Sequence, residues 1–292
     1  MNIKRKKLKI NESFTLLYPF LLFYLVFMII PIFWTFYLAF QKGGFISGFE
    51  YVGIDNFINA WKDQIFIKTI RNTGYYVILV IPSVMGFSLF MAILINKMKR
   101  FQNFVKACIF LPLVSSVVPL AKAWQQIFMA GEEGLFNYFL NLLFRIPPQN
   151  WLSSSKLIIP AIAIFEFWRG FGFWTIIFLG GLSSISKTYY EAAEIDGAST
   201  WRQLLYITVP LLRPTFIFLT IMGLVWNFQL FDVIYVLTFG GPAYSSYTMV
   251  FYTYSNAFLY EKVGMAATMG IILMGIILIL TILSRRVLER KE

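Results

Sequence analysis

Histidine is absent from this 292-residue chain, and cysteine occurs once, as Cys108. The first absence removes the side chain that most often serves as general base or metal ligand at neutral pH. With it go all Ser-His and Cys-His nucleophilic pairs. The second excludes an internal disulfide. No GxxxxGK(S/T) run is present, so nothing cradles a nucleotide phosphate in the P-loop manner. Charge is scarce too: Asp, Glu, Lys and Arg make up 13% of the chain, where soluble proteins carry about 25%. These shortages speak against a soluble hydrolase, a metalloenzyme or an ATPase.

What fills the chain instead is apolar: 59% hydrophobic and 19% aromatic residues, with a mean hydropathy of +0.70. Six apolar runs lie at 16–40, 72–95, 105–129, 157–180, 214–238 and 263–284. Each has about the 20 residues that a helix needs to cross a hydrocarbon core of roughly 30 Å. Backbone groups find no water there, so runs of this length predict helices. The alternating segments of a membrane barrel, about ten residues each, are not seen. The expected fold class is therefore all-α and polytopic in the lipid bilayer. It comprises a basic N-terminal segment at 1–15, a membrane domain over 16–284 and a short tail at 285–292. The first run follows Lys4, Arg5, Lys6, Lys7 and Lys9. It is longer than a signal-peptide core and lacks an Ala-x-Ala pattern near its end, which marks an uncleaved span.

The net charge of +11 is unevenly placed. With the N-terminus inside, the basic clusters at 4–9, at Lys97, Lys99 and Arg100, and at Arg285, Arg286, Arg290 and Lys291 all fall on the inner face. The outer loops at 41–71, 130–156 and 239–262 are nearly neutral. This positive-inside asymmetry places both termini and the loop 181–213 in the cytoplasm. Basic residues at span ends account for the charge without a nucleic-acid partner. No internal repeat is visible, which counts against transporters built from inverted repeats. Pro31, Pro82, Pro112, Pro119 and Pro160 lie within the runs and predict kinks. Gly264, Ala267, Gly270 and Gly275 predict a face for close helix packing.

The stretch 186–210 is a polar island between two apolar runs. Ser186 or Thr188 can cap a helix that carries Glu191 and Glu194 near its positive end. Ala192 and Ala193 keep its surface low, and Asp196-Gly197 interrupts it, since glycine takes left-handed geometry cheaply. Ala198 to Tyr206 can resume a second short helix that ends near Pro210. The expected product is a helix-turn-helix knob on the cytoplasmic side.

Glu191-Ala192-Ala193, Asp196-Gly197-Ala198 and Ile207 to Pro210 resemble the EAA loop of permease subunits in ABC-type importers. Gly53 to Phe57, Asn72-Thr73, Leu111-Pro112, Gly134 to Asn137 and Phe231 to Pro242 are similar to positions shared by carbohydrate-importer permeases of the maltose-type branch. Phe239 departs from a position that is often small, and the long insertion of some maltose permeases is absent. The resemblance implies the type I ABC importer permease fold. It also implies a transport subunit, not an enzyme, of an ATP-driven, binding-protein-dependent importer of di- or oligosaccharides in a bacterial cell membrane. Its partners would be a second homologous permease subunit, two ATPase subunits and an extracytoplasmic sugar-binding protein. This chain would hold no cofactor, ATP and Mg being bound by the ATPases. Coupling would run through Glu191, Ala192, Ala193, Asp196 and Gly197, with Glu191 as the contact and Gly197 as the turn.

Glu166 and Arg169 fall at membrane depth, where charges are costly and face the protein interior. Three residues apart, they share a helical face, which Gly170 and Phe173 extend. By distance from the EAA glutamate, the resemblance puts a sugar-contacting helix here, with Gly170 admitting a ring and Phe173 stacking on it. The alternative is an ion pair that holds the bundle together. Ser115, halfway along the third run, is a candidate donor to a sugar or a packing residue, and Lys122 a residue that snorkels. In the fifth run, at about 100° per residue, Gln229 and Asp232 share a face while Asn227 lies well round from it. The three are therefore not expected to line one narrow pocket. The resemblance favours Asn227 as the sugar contact, beside Trp226. Arg169 leaves an anionic sugar open. A channel or secondary transporter would need an ion-coupling site and no docking loop, while a scaffold would leave Glu166, Arg169 and Asp232 unexplained.

Overall fold

The computed structural model describes residues 10–98 and 100–289. Most of the basic N-terminal segment and the end of the tail, both assigned to the cytoplasm, lie outside the described residues. Helix α1 (Ile10–Tyr24) passes through a π turn (Leu25–Ile29) into α2 (Ile30–Ala39). A hairpin of β1 (Gln41–Gly44) and β2 (Gly48–Tyr51) follows, then α3 (Asp55–Lys62) and the long α4 (Gln64–Asn96). Next come α5 (Gln102–Val114), α6 (Val117–Ile127), α7 (Leu135–Phe144) and α8 (Ile158–Ser184). The loop at 181–213 holds α9 (Lys187–Ile195), α10 (Thr200–Gln203), a π turn (Leu204–Thr208) and α11 (Val209–Leu211). The chain finishes with α12 (Arg213–Phe228), α13 (Asp232–Leu237), α14 (Met249–Tyr254), a π turn (Ser255–Leu259) and α15 (Val263–Glu289).

Among the described residues, five helical stretches are long and apolar enough to cross a membrane, or six if the bent pair α5 and α6 forms one span. The helical expectation holds, but two loops between the apolar runs carry more structure than the sequence suggested. The loop at 41–71 contains the hairpin, α3 and the first turns of α4, and the loop at 130–156 contains α7.

The third run is not one straight span. Its two halves meet at 94°, with Ser115 and Ser116 both in extended backbone between them (ψ 146° and 135°). Pro119 explains the position of the break. A proline ring inside a helix collides with the carbonyl four residues earlier, here that of Ser115. By contrast, α4 passes Pro82 unbroken, and the Ser83 hydroxyl bonds back to the Leu79 carbonyl there.

Two compact units divide the chain. In the first, residues 1–62 with 253–272, β1 pairs antiparallel to β2, with Gln41 opposite Tyr51 and Gly44 opposite Gly48. Leu38, Ala39, Val263 and Ala267 form its core. The last carbonyls of a helix have no partner within it. Asn56 Nδ2 answers this by donating to Ala39 O (2.9 Å) and Gln41 O (2.7 Å), and Thr268 Oγ1 donates to Ala39 O (3.1 Å). A Cβ on Gly264 would stand 1.6 Å from Gln41 O, so only glycine fits. Gly270 and Gly275 have nothing within 4 Å of such an atom. The close-packing face expected of α15 is therefore confined to its first turns.

In the second unit, residues 63–252 with 273–292, α4 packs along α8, α5 lies against α8, α12 against both, and α13 against α6. Asp63 caps α4 by accepting from the Ile65 and Phe66 amides. Such caps stabilise a helix by roughly 1 kcal/mol. Tyr76 and Val84 of α4, and Ile162, Phe165 and Phe178 of α8, are buried between these helices. A Cβ on Gly172 would stand 1.9 Å from Ile109 O, which lets α5 and α8 approach backbone to backbone.

Candidate functional site

A cavity of about 290 Å³ lies among α4, α8, α12 and α13. That is near the lower edge of the roughly 300–1,000 Å³ typical of small-molecule sites, so it suits one ring-sized group. From α8 it receives Glu166, Arg169, Gly170 and Phe173, the four residues whose spacing puts them on one helical face. Arg169 Nε donates to Glu166 Oε1 (3.1 Å) and Oε2 (3.3 Å), and Nη2 donates to Oε2 (3.0 Å). The pair is an ion pair between residues three apart on α8, and both members line the cavity. Beside it, a Cβ on Gly170 would meet only open space.

Phe173 and Trp226 form an apolar wall, their ring centroids 5.2 Å apart and their planes inclined by 53°. Asn227 lies next to that wall with both ends of its amide engaged. Its Oδ1 accepts from the Tyr76 hydroxyl (2.9 Å), and its Nδ2 donates to Gly223 O (2.8 Å). Sequence reasoning missed Tyr76. The available signal was its place three and four residues after Thr73 and Asn72, on the buried face of α4.

Asn227, Gln229 and Asp232 all line the cavity, which overturns the expectation that they cannot. The angular reckoning assumed one unbroken helix. Helix α12 ends at Phe228, Leu230 and Phe231 are non-helical, and α13 starts at Asp232, so the phase is reset between them. Asp232 Oδ1 accepts from the Val233 amide (2.9 Å). Among the described residues Asp232 has no ion-pair partner, and its charge acts on both Glu166 and Arg169.

Ser115 stays apart from this group. Its hydroxyl donates to Leu111 O (2.9 Å) at the end of α5, and Leu113 supplies the lining there. Lys122 is exposed and donates to Gln125 Oε1 (3.1 Å). Gln125 Nε2 in turn donates to Val236 O and Leu237 O (3.0 Å each), which holds the end of α13 against α6.

The loop at 181–213 has the helix-turn-helix geometry its residues suggest. Ser186 caps α9 by accepting from the Thr188 amide, and Gly197 turns the chain with φ +73°. The second arm starts at Thr200, later than expected, and runs through the π turn to Leu211. Tyr190 and Thr208 share a hydroxyl–hydroxyl bond of 2.9 Å that ties the two arms together. Glu191, Ala192 and Asp196 are exposed on the knob, with Ala193 partly covered.

Other singled-out blocks tie loops together. Asn72 donates to Tyr244 O and Tyr247 O, and Thr73 accepts from the Met249 amide. Buried Asn137 donates to Met129 O, Gly131 O and Gln149 O, and accepts from the Gln149 amide and the Trp151 indole.

Residues 84–292 match the family described as binding-protein-dependent transport system inner membrane component. The chain is 32% identical to the arabinooligosaccharides transport system permease protein of Bacillus subtilis, across 91% of this chain and 85% of that one. It is 32% identical to the lactose transport system permease protein of Rhizobium radiobacter, across 88% and 87%. With the trehalose/maltose transport system permease protein of Thermococcus litoralis it shares 30%, across 96% of each. Among solved structures, a bacterial ABC transporter involved in the import of the acidic polysaccharide alginate has a chain of the same fold. Its TM-score is 0.82 at 22% identity, covering 96% of this chain and 95% of that one.

Proposed function

The chain belongs to the family of binding-protein-dependent transport system inner membrane components, and from that premise we propose that it is one permease subunit of an ATP-driven importer of di- or oligosaccharides. The observation that carries the reading is the cavity of α8, α12 and α13. It pairs an aromatic wall, Phe173 and Trp226, with a polar cluster at membrane depth. Sugars present C–H faces to aromatic rings and hydroxyls to polar neighbours. The carbohydrate names of its relatives support the same class.

In this reading the chain forms half of the pathway and a second homologous permease the other half. An extracytoplasmic binding protein delivers the sugar. Two ATPase subunits bind ATP and Mg and dock on the knob at 186–210, with Glu191 as the contact, Ala192 and Ala193 as the close surface, and Asp196-Gly197 as the turn. Both termini and the knob face the cytoplasm. The test is uptake of labelled disaccharides by vesicles holding the assembled complex. ATP inside and binding protein outside should both be required, and uptake driven by an ion gradient without ATP would sink the proposal.

A further inference from the structure

The chemistry of the cavity narrows the class of sugar, provided that the cavity is the sugar path proposed above. Three formally charged side chains line it: Glu166, Arg169 and Asp232. Arg169 is the one cation in the lining, and its guanidinium is directed at both oxygens of Glu166. That fork geometry pairs the two charges closely, so Glu166 already offsets the charge of Arg169 toward a substrate carboxylate. Asp232 keeps one carboxylate oxygen that accepts no bond from the described residues, since Oδ1 alone takes the Val233 amide. Counted at their formal charges, the three side chains give the lining one surplus negative charge.

We infer that the pathway selects neutral or amino sugars and discriminates against uronic sugars, with Asp232 as the residue that sets this preference. A hydroxyl or an ammonium group can donate to Asp232, whereas a carboxylate can only be repelled by it. Repulsion is strongest where the surroundings are apolar, as Phe173, Trp226 and Val80 make them here.

The experiment is competitive uptake through the whole complex with its binding protein. It uses three disaccharides of the same linkage that carry a hydroxyl, an amino group or a carboxylate at one ring position. The expected result is at least about a tenfold disadvantage for the uronic member, equivalent to about 1.4 kcal/mol. Asp232→Asn keeps the acceptor for Val233 and should shrink that disadvantage severalfold, while Asp232→Glu should retain it. The double variant Glu166→Gln with Arg169→Gln leaves Asp232 as the surplus charge and should also retain it. A uronic-to-neutral ratio that Asp232→Asn does not move, with sugar uptake intact, overturns this inference alone. An assembled complex that takes up none of the three sugars overturns the sugar reading and this inference with it.

Discussion

The Tyr76 hydroxyl reaches from α4 to Asn227 Oδ1 on α12 at 2.9 Å, so the amide nearest the aromatic wall is positioned by a tyrosine on another helix. Tyr76 is itself fully buried, and both residues line the cavity. Tyr76→Phe should cost about 0.5–1.5 kcal/mol, read as a lower thermal unfolding midpoint of the purified complex. Uptake should weaken mainly through the apparent substrate affinity. An unchanged affinity would separate Asn227 from recognition.

Arg169→Ala would strand Glu166, which is 9% exposed, as a carboxylate without its cation. Breaking a buried pair from one side costs about 3–5 kcal/mol, and the lower end applies because the pair borders a cavity. Thermal stability should fall accordingly, and the Glu166→Gln, Arg169→Gln double variant should recover much of it. Equal stability of the single and double variants would deny the pair any structural weight.

Gly170→Leu should abolish uptake while assembly and basal ATP hydrolysis persist. The space in front of Gly170 is empty, so the new side chain enters the cavity instead of displacing a helix. Gly170→Ala should be tolerated, with uptake reduced by no more than about threefold. Normal uptake in the leucine variant would move the sugar path elsewhere.

At the knob, Gly197 holds φ +73°, which costs a non-glycine residue about 1–2 kcal/mol. Gly197→Val and Glu191→Lys should insert normally and lose transport, the first by deforming the turn and the second by reversing the docking charge. Stimulation of the ATPase by loaded binding protein should disappear in both. Retained stimulation would reduce the loop to a connector.

Orientation can be read with single cysteines in a Cys108→Ser background. Ser153 and Ser199 are both exposed, and they should label from outside and inside respectively in intact cells. Labelling of Ser199 from outside would reverse the map.

Span positions were readable because length and apolarity suffice to specify a membrane helix. The face shared by Glu166, Arg169, Gly170 and Phe173 was readable because α8 is unbroken there. The break at Ser115 was signalled by Pro119 but read as a mere kink. The regrouping of Asn227 with Asp232 had no local signal, since Phe228 to Phe231 contains neither glycine nor proline. Its cause is tertiary: Leu230 is buried, and its carbonyl accepts from the Thr248 hydroxyl at 2.8 Å. The hairpin at 41–51 was missed because its strands are short and glycine-bearing, and lack an alternating pattern.

The bend at Ser115–Ser116 lets one apolar run grip α8 at two separate places. Helix α5 is keyed to α8 through the contact at Gly172. Helix α6 meets α8 through Trp124, whose ring centroid lies 5.7 Å from Phe165 and 5.3 Å from Trp168, and is also latched to the end of α13 by Gln125. A continuous rod would pass a push on one end directly to the other. The two-residue extended joint turns the run through 94° instead. One arm can then lie flush on α8 while the other braces α8 beside Glu166 against the end of α13, the helix that begins at Asp232.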